Sequence, residues 1–414
     1  MEINNGTEEN LLLTRSSSSS YDKGDTKQNL SKRFWVESLK VWKIAFPTMV
    51  TRVTSFGVLV VTQSFMGYIG DTELAAYSLM QIFLLRFANG ILLGMASALE
   101  TFCGQAYGAK QYQMMGIYLQ RSWIILLITT TLITPIFIFS TSIFRLLGEG
   151  QELSIVAGNL SLWCIPILYY FVFDFTLQMF LQAQVKNMIV GWLSAAAFVL
   201  HIFLSWLFVI KLDLGVPGAM GALIISTWST VIGLFFYVCG GWCPDTWSGL
   251  SVSAFSGLLP LVRLSLSSGV MLCVELWYNA VLVLLAGYLK HAEISISAFS
   301  ICLNILGWQF MIFLGFATAA WYVKFHGVAI GAGWQTLVAY VNITCYYIIG
   351  IPIGLLLAYV FHFQAQGIWI GMICGVAMQT LALICFTWKT DWDAQVEDAS
   401  ARLKTYLKAP EESY

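Results

Sequence analysis

Ten apolar stretches, each long enough to cross a lipid bilayer as a helix, run along the chain. A hydrocarbon core of about 30 Å requires roughly 20 apolar residues in an α-helix. Because helices satisfy their backbone polar groups internally, repeated stretches of this length predict a bundle of membrane-spanning helices. The predicted spans are residues 44–68, 75–99, 118–147, 155–182, 189–210, 217–240, 264–288, 295–319, 337–361 and 367–388.

Composition supports the same class. The 414 residues are 58% hydrophobic and only 10% charged, and the mean hydropathy is +0.75. A soluble domain is usually about half apolar and one-quarter charged. We therefore predict an all-α polytopic membrane protein.

Polar segments flank the predicted spans. Residues 1–40 contain the serine run Ser16–Ser20 and mixed charges but no apolar signal-peptide core, so we expect a disordered cytosolic tail without a cleavable signal. Residues 391–414 are predicted to form a cytosolic C-terminal tail. An acidic dileucine sorting pattern, which slightly favours the vacuolar membrane, is formed by Glu8, Leu12 and Leu13.

Basic residues fall mainly in alternate connecting segments. If the N-terminus is cytosolic, the cytosolic segments hold 16 Lys or Arg residues and the opposite loops hold three, which are Arg145, Lys211 and Lys290. The positive-inside rule therefore predicts that both termini are cytosolic. Arg52 and Arg86 remain within the first two spans. For Arg52, a side chain that extends along its helix towards the membrane surface is favoured.

A weak internal repeat relates the two halves of the chain. In each copy a glutamine precedes two spans, and two glycines open the second span: Gln184, Gly218 and Gly221, then Gln335, Gly367 and Gly371. Transporters are commonly built from two related halves with the substrate site between them. Matching the spans of the halves leaves roughly 70 residues, enough for two spans with their loops, missing from the second half.

Eight sequence blocks, in this order, resemble one known family. They are SALETFCGQAYGAKQY (97–112), MGIYLQRSW (115–123), FLQAQVKN (180–187), MLCVELWYN (271–279), GVAIGAGWQ (327–335), YYIIGIPIGLLL (346–357), GIWIGMICG (367–375) and KTDW (389–392). Together they resemble plant members of the multidrug and toxic compound extrusion (MATE) family, the DETOXIFICATION proteins. The resemblance extends from about residue 35 to 405 with one break.

The resemblance implies two bundles of MATE type. Family members have six helices in each bundle, so residues 41–245 correspond to an N-terminal lobe of six spans and residues 246–390 to a shortened C-terminal lobe of about four. The break follows FLGFATAAWYVKFH, where helix nine and most of helix ten of the family are missing. Comparison with the family and the internal repeat therefore indicate the same gap.

One carboxylate, Glu275, lies within the apolar stretch of residues 268–287. A charge well inside a membrane helix costs roughly 2.5 to 3.5 kcal/mol, so it requires a function or a partner. The resemblance implies a protonatable acid in the seventh helix that couples cation entry to substrate exit, and we expect Glu275 to be this residue. The alternative is a structural acid that bonds Tyr278, Asn279 or a neighbouring helix.

Other polar or aromatic residues at membrane depth are candidates to line a substrate cavity: Trp277, Tyr278, Asn279, Asn304, Gln309 and Asn342. Interhelical hydrogen bonding and packing are the alternative for all of them. Asp174 and His201 are weaker ionisable candidates, and a hydrogen bond within the bundle is favoured for His201. Glu100 and Gln105 belong to the block that matches the family's cytosolic loop motif, where we interpret them as a loop anchor or gate.

Enzymatic classes find no support in the sequence. The four histidines lack metal-ligand spacing, and no GxxxxGK[ST] phosphate loop occurs. We therefore expect no enzyme activity, metal site, cofactor, ATP site or nucleic-acid partner, and a monomer in the lipid bilayer.

The predicted function is secondary active transport. The resemblance implies proton-coupled antiport of amphipathic organic compounds, such as secondary metabolites or xenobiotics, out of the cytosol across the tonoplast or plasma membrane. Sodium coupling stays open. The alternative is a truncated, transport-inactive product or a regulatory subunit of a full-length paralogue.

Overall fold

The computed structural model describes residues 28–148, 150–287, 307–309, 311–312 and 335–389, and no strand occurs among them. These residues form eleven main helices: α1 (Gln28–Ile69), α2 (Asp71–Gly108), α3 (Tyr112–Ile138), α4 (Ser140–Leu146), α5 (Gln151–Trp163), α6 (Ile165–Ala183), α7 (Asn187–Lys211), α8 (Gly215–Trp242), α9 (Leu259–Gly287), α10 (335–360) and α11 (Gln364–Lys389).

Eight of these helices are long and apolar enough to cross a membrane, and they match predicted spans one to six, nine and ten. The seventh predicted span falls on α9. Most of the eighth, residues 295–319, lies outside the described residues. The predicted all-helical polytopic fold is therefore confirmed.

Two predicted spans are interrupted. The span predicted at 118–147 breaks at Phe139, where the Ser140 hydroxyl donates to the Phe137 carbonyl at 2.8 Å and gives the backbone a local alternative to the helix. The span predicted at 155–182 breaks at Cys164, because Pro166 in the first turn of α6 has no N–H to continue the preceding helix.

The predicted disordered tail is wrong for residues 28–40, which belong to α1. No proline precedes Pro47 in this stretch, and helix-favouring residues therefore continue the span towards the N-terminus without a break. Residues 1–27 lie outside the described part of the chain, as does the predicted tail at 391–414.

Helices α1 to α8 are called the first bundle and α9 to α11 the described part of the second; the first bundle is built around α6. Its apolar window is 72% buried, more than that of any other candidate span in the described chain, and it packs against α2 and α3. Helix α2 also forms the most extensive described helix pair, with α9. This pair is antiparallel, because Phe87 stacks on Trp277 while Gly94 lies against Gly269.

The backbones of α2 and α9 touch at Gly94 and Gly269. A Cβ atom on Gly94 would lie 2.6 Å from the Gly269 Cα atom and 2.9 Å from the Ser268 carbonyl oxygen. Backbone atoms cannot move aside as a flexible side chain can, so this close approach requires glycine.

We predict that Gly94→Ala destabilises the folded protein by about 1 to 3 kcal/mol through overpacking. The thermal unfolding midpoint in detergent would measure the change. The matched control is Gly221→Ala in α8, where an added Cβ meets no atom within 4 Å. Equal midpoints for the two variants would contradict the backbone contact.

Candidate functional site

A group of charged side chains lies inside the first bundle. Arg52 in α1 interacts electrostatically with Glu100 in α2 and with Asp174 in α6. Asp174 is only 3% exposed, whereas Arg52 and Glu100 are half-buried. Two carboxylates thus interact electrostatically with one guanidinium inside the first bundle, and the extension of Arg52 towards the membrane surface stays a prediction.

Asp174 keeps unused hydrogen-bonding capacity. Gln178, one turn later on α6, donates from Nε2 to Asp174 Oδ2 at 2.8 Å. The Oδ1 atom of Asp174 and the Oε1 atom of Gln178 are buried without a partner. Each unsatisfied acceptor is costly in an apolar interior, and Tyr170 interacts with the same carboxylate.

His201 joins three helices of the first bundle. Its imidazole is fully buried; Nε2 lies 3.1 Å from Thr62 Oγ1 in α1, and Nδ1 lies 3.1 Å from Ser226 Oγ in α8. Both ring nitrogens therefore have partners, and the predicted hydrogen-bonding role is confirmed. A role in proton gating stays a prediction.

A second polar network connects α10 and α11. Gln379 donates from Nε2 to Asn342 Oδ1 at 2.7 Å and accepts from the Tyr346 hydroxyl through Oε1. The Tyr278 ring of α9 stacks on Tyr346 with centroids 4.6 Å apart and planes at 10°. Sequence reasoning missed Gln379, although an amide inside an apolar stretch is itself a signal of interhelical bonding.

This network lies beside the backbone at position 275. The Tyr347 hydroxyl donates to the Val274 carbonyl at 3.0 Å, and Tyr278, one turn after position 275, is buried with no partner for its hydroxyl. The segment 274–278 of α9 is therefore attached to α10 at both ends. The side chain of Glu275 lies outside the described residues, as do the Asn279 side chain and Asn304.

The other cavity candidates differ in exposure. Tyr278 and Asn342 are buried, as the packing alternative expects, so cavity lining stays a prediction for both. Trp277 is 44% exposed and stacks on Phe87 with centroids 5.6 Å apart. Gln309 is exposed.

Gln105, the second residue of the predicted loop motif, is half-buried near the end of α2. In the described segments, no group of three or more His, Cys, Asp or Glu side chains could hold a metal ion.

Apolar helices of membrane length, with polar clusters buried at membrane depth in both halves, define a polytopic helical transporter. A family model described as MatE matches residues 47–207. Protein DETOXIFICATION 21 of Arabidopsis thaliana is 44% identical over 91% of this chain and 92% of its own length. The crystal structure of the eukaryotic MATE transporter AtDTX14 is 25% identical, with a TM-score of 0.80 over 89% of this chain and 99% of that one.

The chain belongs to the MATE family. It is therefore a multi-pass integral membrane protein and a secondary transporter of organic compounds, not an enzyme, as the sequence predicts. An outward-facing multidrug resistance MATE transporter, 17% identical with a TM-score of 0.67, shares the fold.

The alignment with DETOXIFICATION 21 also contains positions that this chain lacks. It extends over 453 positions, yet 91% of a 414-residue chain is only about 377 residues. About 76 positions of the relative therefore have no counterpart here. This agrees in size with the roughly 70 residues that the internal repeat predicts to be missing, on the helix lengths that a bilayer requires.

We predict that Arg52→Met lowers the stability of the first bundle by about 1 to 3 kcal/mol, because it removes the cation that interacts electrostatically with Glu100 and Asp174. The double variant Arg52→Met/Asp174→Asn should recover part of the loss. Thermal unfolding in detergent would compare both with Arg86→Met, which removes an exposed arginine of α2. The same loss in Arg52→Met and Arg86→Met would contradict the electrostatic role.

Proposed function

We propose that this protein is a proton-coupled antiporter that moves amphipathic organic compounds out of the cytosol, with Glu275 as the coupling residue. The observation that carries the proposal is the position of this carboxylate on α9, a helix that contacts both bundles. Helix α9 meets α2 at Gly94 and Gly269 and meets α10 through Tyr347 and the Val274 carbonyl.

A residue in this place can couple protonation to movement. A ligand shifts a conformational equilibrium only if it binds the two conformations differently. A proton at position 275 changes the charge of a helix that packs against both bundles, so it can favour one arrangement of the bundles over the other. The attachment of segment 274–278 to α10 supports this proposal because it keeps the backbone at position 275 in register with the second bundle.

We propose a proton as the coupling ion because a single carboxyl group is sufficient to bind a proton, whereas sodium requires several oxygen ligands. The residues that follow Glu275 by three and four positions, Tyr278 and Asn279, do carry side-chain oxygens, so the experiment below includes a sodium gradient. Asp174 and Gln178 offer a second, weaker candidate site in the first bundle.

The proposed substrates are secondary metabolites or xenobiotics that carry an apolar, planar part. Two aromatic pairs support this class: Phe87 with Trp277, and Phe56 with Trp308 at a centroid distance of 4.8 Å. Aromatic faces pack well against planar organic molecules. We place the transporter in the tonoplast or plasma membrane with both termini cytosolic, because the charge distribution follows the positive-inside rule.

The first functional prediction is that Glu275→Gln lowers pH-gradient-driven uptake of ethidium into proteoliposomes at least tenfold, with near-normal insertion. Glutamine keeps the shape and hydrogen bonding of the side chain but cannot titrate. Asp174→Asn should have a smaller effect. A sodium gradient in place of the pH gradient tests the other ion, and unchanged uptake by Glu275→Gln in both gradients would refute the assignment.

A second candidate function is a truncated, transport-inactive form or a regulatory subunit. The observation that favours it is the internal gap of about 76 alignment positions. Helix α11 also buries only 17% of its apolar window, the lowest share among the candidate spans of the described chain. Lipid can cover an apolar face, but it cannot bond polar groups that a missing helix would have contacted.

The second functional prediction concerns this gap. Inserting the two-span segment of DETOXIFICATION 21 between Ala320 and Gly327 should raise ethidium transport several-fold and increase protease resistance, both measured per inserted molecule. The added helices would supply partners for polar groups of the second bundle. Equal behaviour of the two chains would show that the segment is dispensable and would exclude the truncated-form candidate. The Glu275→Gln comparison is run in both chains.

A further inference from the structure

The segment between the two bundles is bonded to the first bundle along most of its length. Helix α8 ends at Trp242 and α9 begins at Leu259, so residues 243–258 connect the bundles. The side chain of Gln120 in α3 makes two bonds to this linker: its Nε2 donates to the Gly249 carbonyl and its Oε1 accepts from the Ser251 N–H, both at 2.8 Å. One amide group therefore closes a ring with the linker backbone.

Further hydrogen bonds attach the linker on either side of residues 249–251. Thr246 donates from Oγ1 to Gln184 Oε1 at 2.9 Å, and Arg121 donates from Nη2 to the Ser253 carbonyl at 3.2 Å. The linker also crosses α3 at backbone distance, since a Cβ atom on Gly116 would lie 2.7 Å from the Thr246 carbonyl oxygen. Residues 246–253 are thus attached to α3 and to the α6–α7 turn.

The contacts involve two of the sequence blocks that carry the family resemblance. Gln120 and Arg121 lie in MGIYLQRSW, and Gln184 lies in FLQAQVKN. The proposed transport function does not place Gln120, Arg121 or Gln184 at the substrate site or at the coupling site. Their hydrogen bonds to the linker give these polar side chains a structural role.

After Ser253 the linker has little length left before α9. A short turn, Val252–Phe255, leads to Gly257, whose φ of +65° is a conformation that suits glycine, and then to Leu259. Residues 254–258 also lie against the first bundle, because Ala254 is buried, a Cβ atom on Gly257 would lie 3.4 Å from Arg121 Nη2, and Leu258 packs against the hydrophobic core. If the side-chain hydrogen bonds of Gln120, Arg121 and Gln184 are lost, the linker keeps only these apolar contacts beside residues 246–253.

We propose that Gln120, Arg121 and Gln184 clamp residues 246–253 as a fixed extension of the first bundle that leads directly into α9. In this arrangement α9 receives the movement of the first bundle through a short, stiff connection. Gln120 is then a positioning residue of the transport cycle: it affects turnover by holding the linker and does not touch the substrate.

The test compares Gln120→Met with Gln113→Met. Methionine has a similar length and no hydrogen bond, and Gln113 is an exposed glutamine on the same helix. For Gln120→Met we expect the Ser251 amide to exchange its hydrogen on the order of ten times faster, because two hydrogen bonds that close the linker are lost. We also expect kcat for ethidium transport to fall at least threefold with KM changed less than twofold. Gln113→Met should change neither measurement.

A second variant tests the same contacts in case Gln120→Met fails to fold. Thr246→Val removes the bond to Gln184 and keeps the side-chain shape, so it should change exchange and kcat in the same direction by a smaller factor. Gln120→Glu retains the acceptor for the Ser251 N–H and should lie between Gln120→Met and the unaltered chain.

The outcomes separate this proposal from the proposed coupling. Exchange of the Ser251 amide needs no transport, so it tests the clamp even if Glu275 is not the coupling residue. The transport measurement uses whichever gradient drives uptake and is run in this chain and in the chain extended at Ala320. Unchanged exchange in Gln120→Met and Thr246→Val overturns the clamp. Faster exchange with unchanged kcat, or an equal loss in Gln113→Met, overturns its part in turnover.

Discussion

In the hydrocarbon interior of a membrane, each polar group must find its partner within the protein, and this constraint organises the whole structure. It requires the backbone to be helical wherever it spans the bilayer. It also accounts for the electrostatic interaction of Arg52 with two carboxylates and for the hydrogen bonds of His201 to two hydroxyls. The acceptors that remain unpaired, such as Asp174 Oδ1, are therefore the places where a proton or ligand can act.

Helix α9 makes direct contacts with both bundles. Its first half lies against α2 at Gly269, where no side chain separates the backbones, and its second half is bonded to α10 at Val274. The linker before it is attached to α3. A change of charge at position 275 therefore acts on a helix that has close contacts on both sides.

The helices of the two bundles differ in how much of their apolar surface the protein buries. Helix α6 is surrounded by protein, whereas α11 exposes most of its apolar window. Lipid replaces protein at such a face at little cost when the face is apolar. The cost is high where an amide or a carboxylate would face lipid. Asn342 and Gln379 avoid this cost because they bond each other.

The sequence by itself determined the positions of most spans, the resemblance to MATE transporters and the size of the gap. Hydropathy and the order of motifs can be read from the sequence without any knowledge of tertiary contacts. It did not find that α1 begins at Gln28, that Gln379 bonds Asn342, or that Arg52 interacts with Glu100 and Asp174. Those facts depend on how each helix is rotated about its axis. Successive residues differ by about 100° in direction, so a span known to within a few residues leaves its facing side chains undetermined. The linker shows the same limit: the block MGIYLQRSW contains the polar residues Gln120 and Arg121, and only the tertiary structure, by bringing Gln120 to Gly249 and Ser251, decided what Gln120 binds.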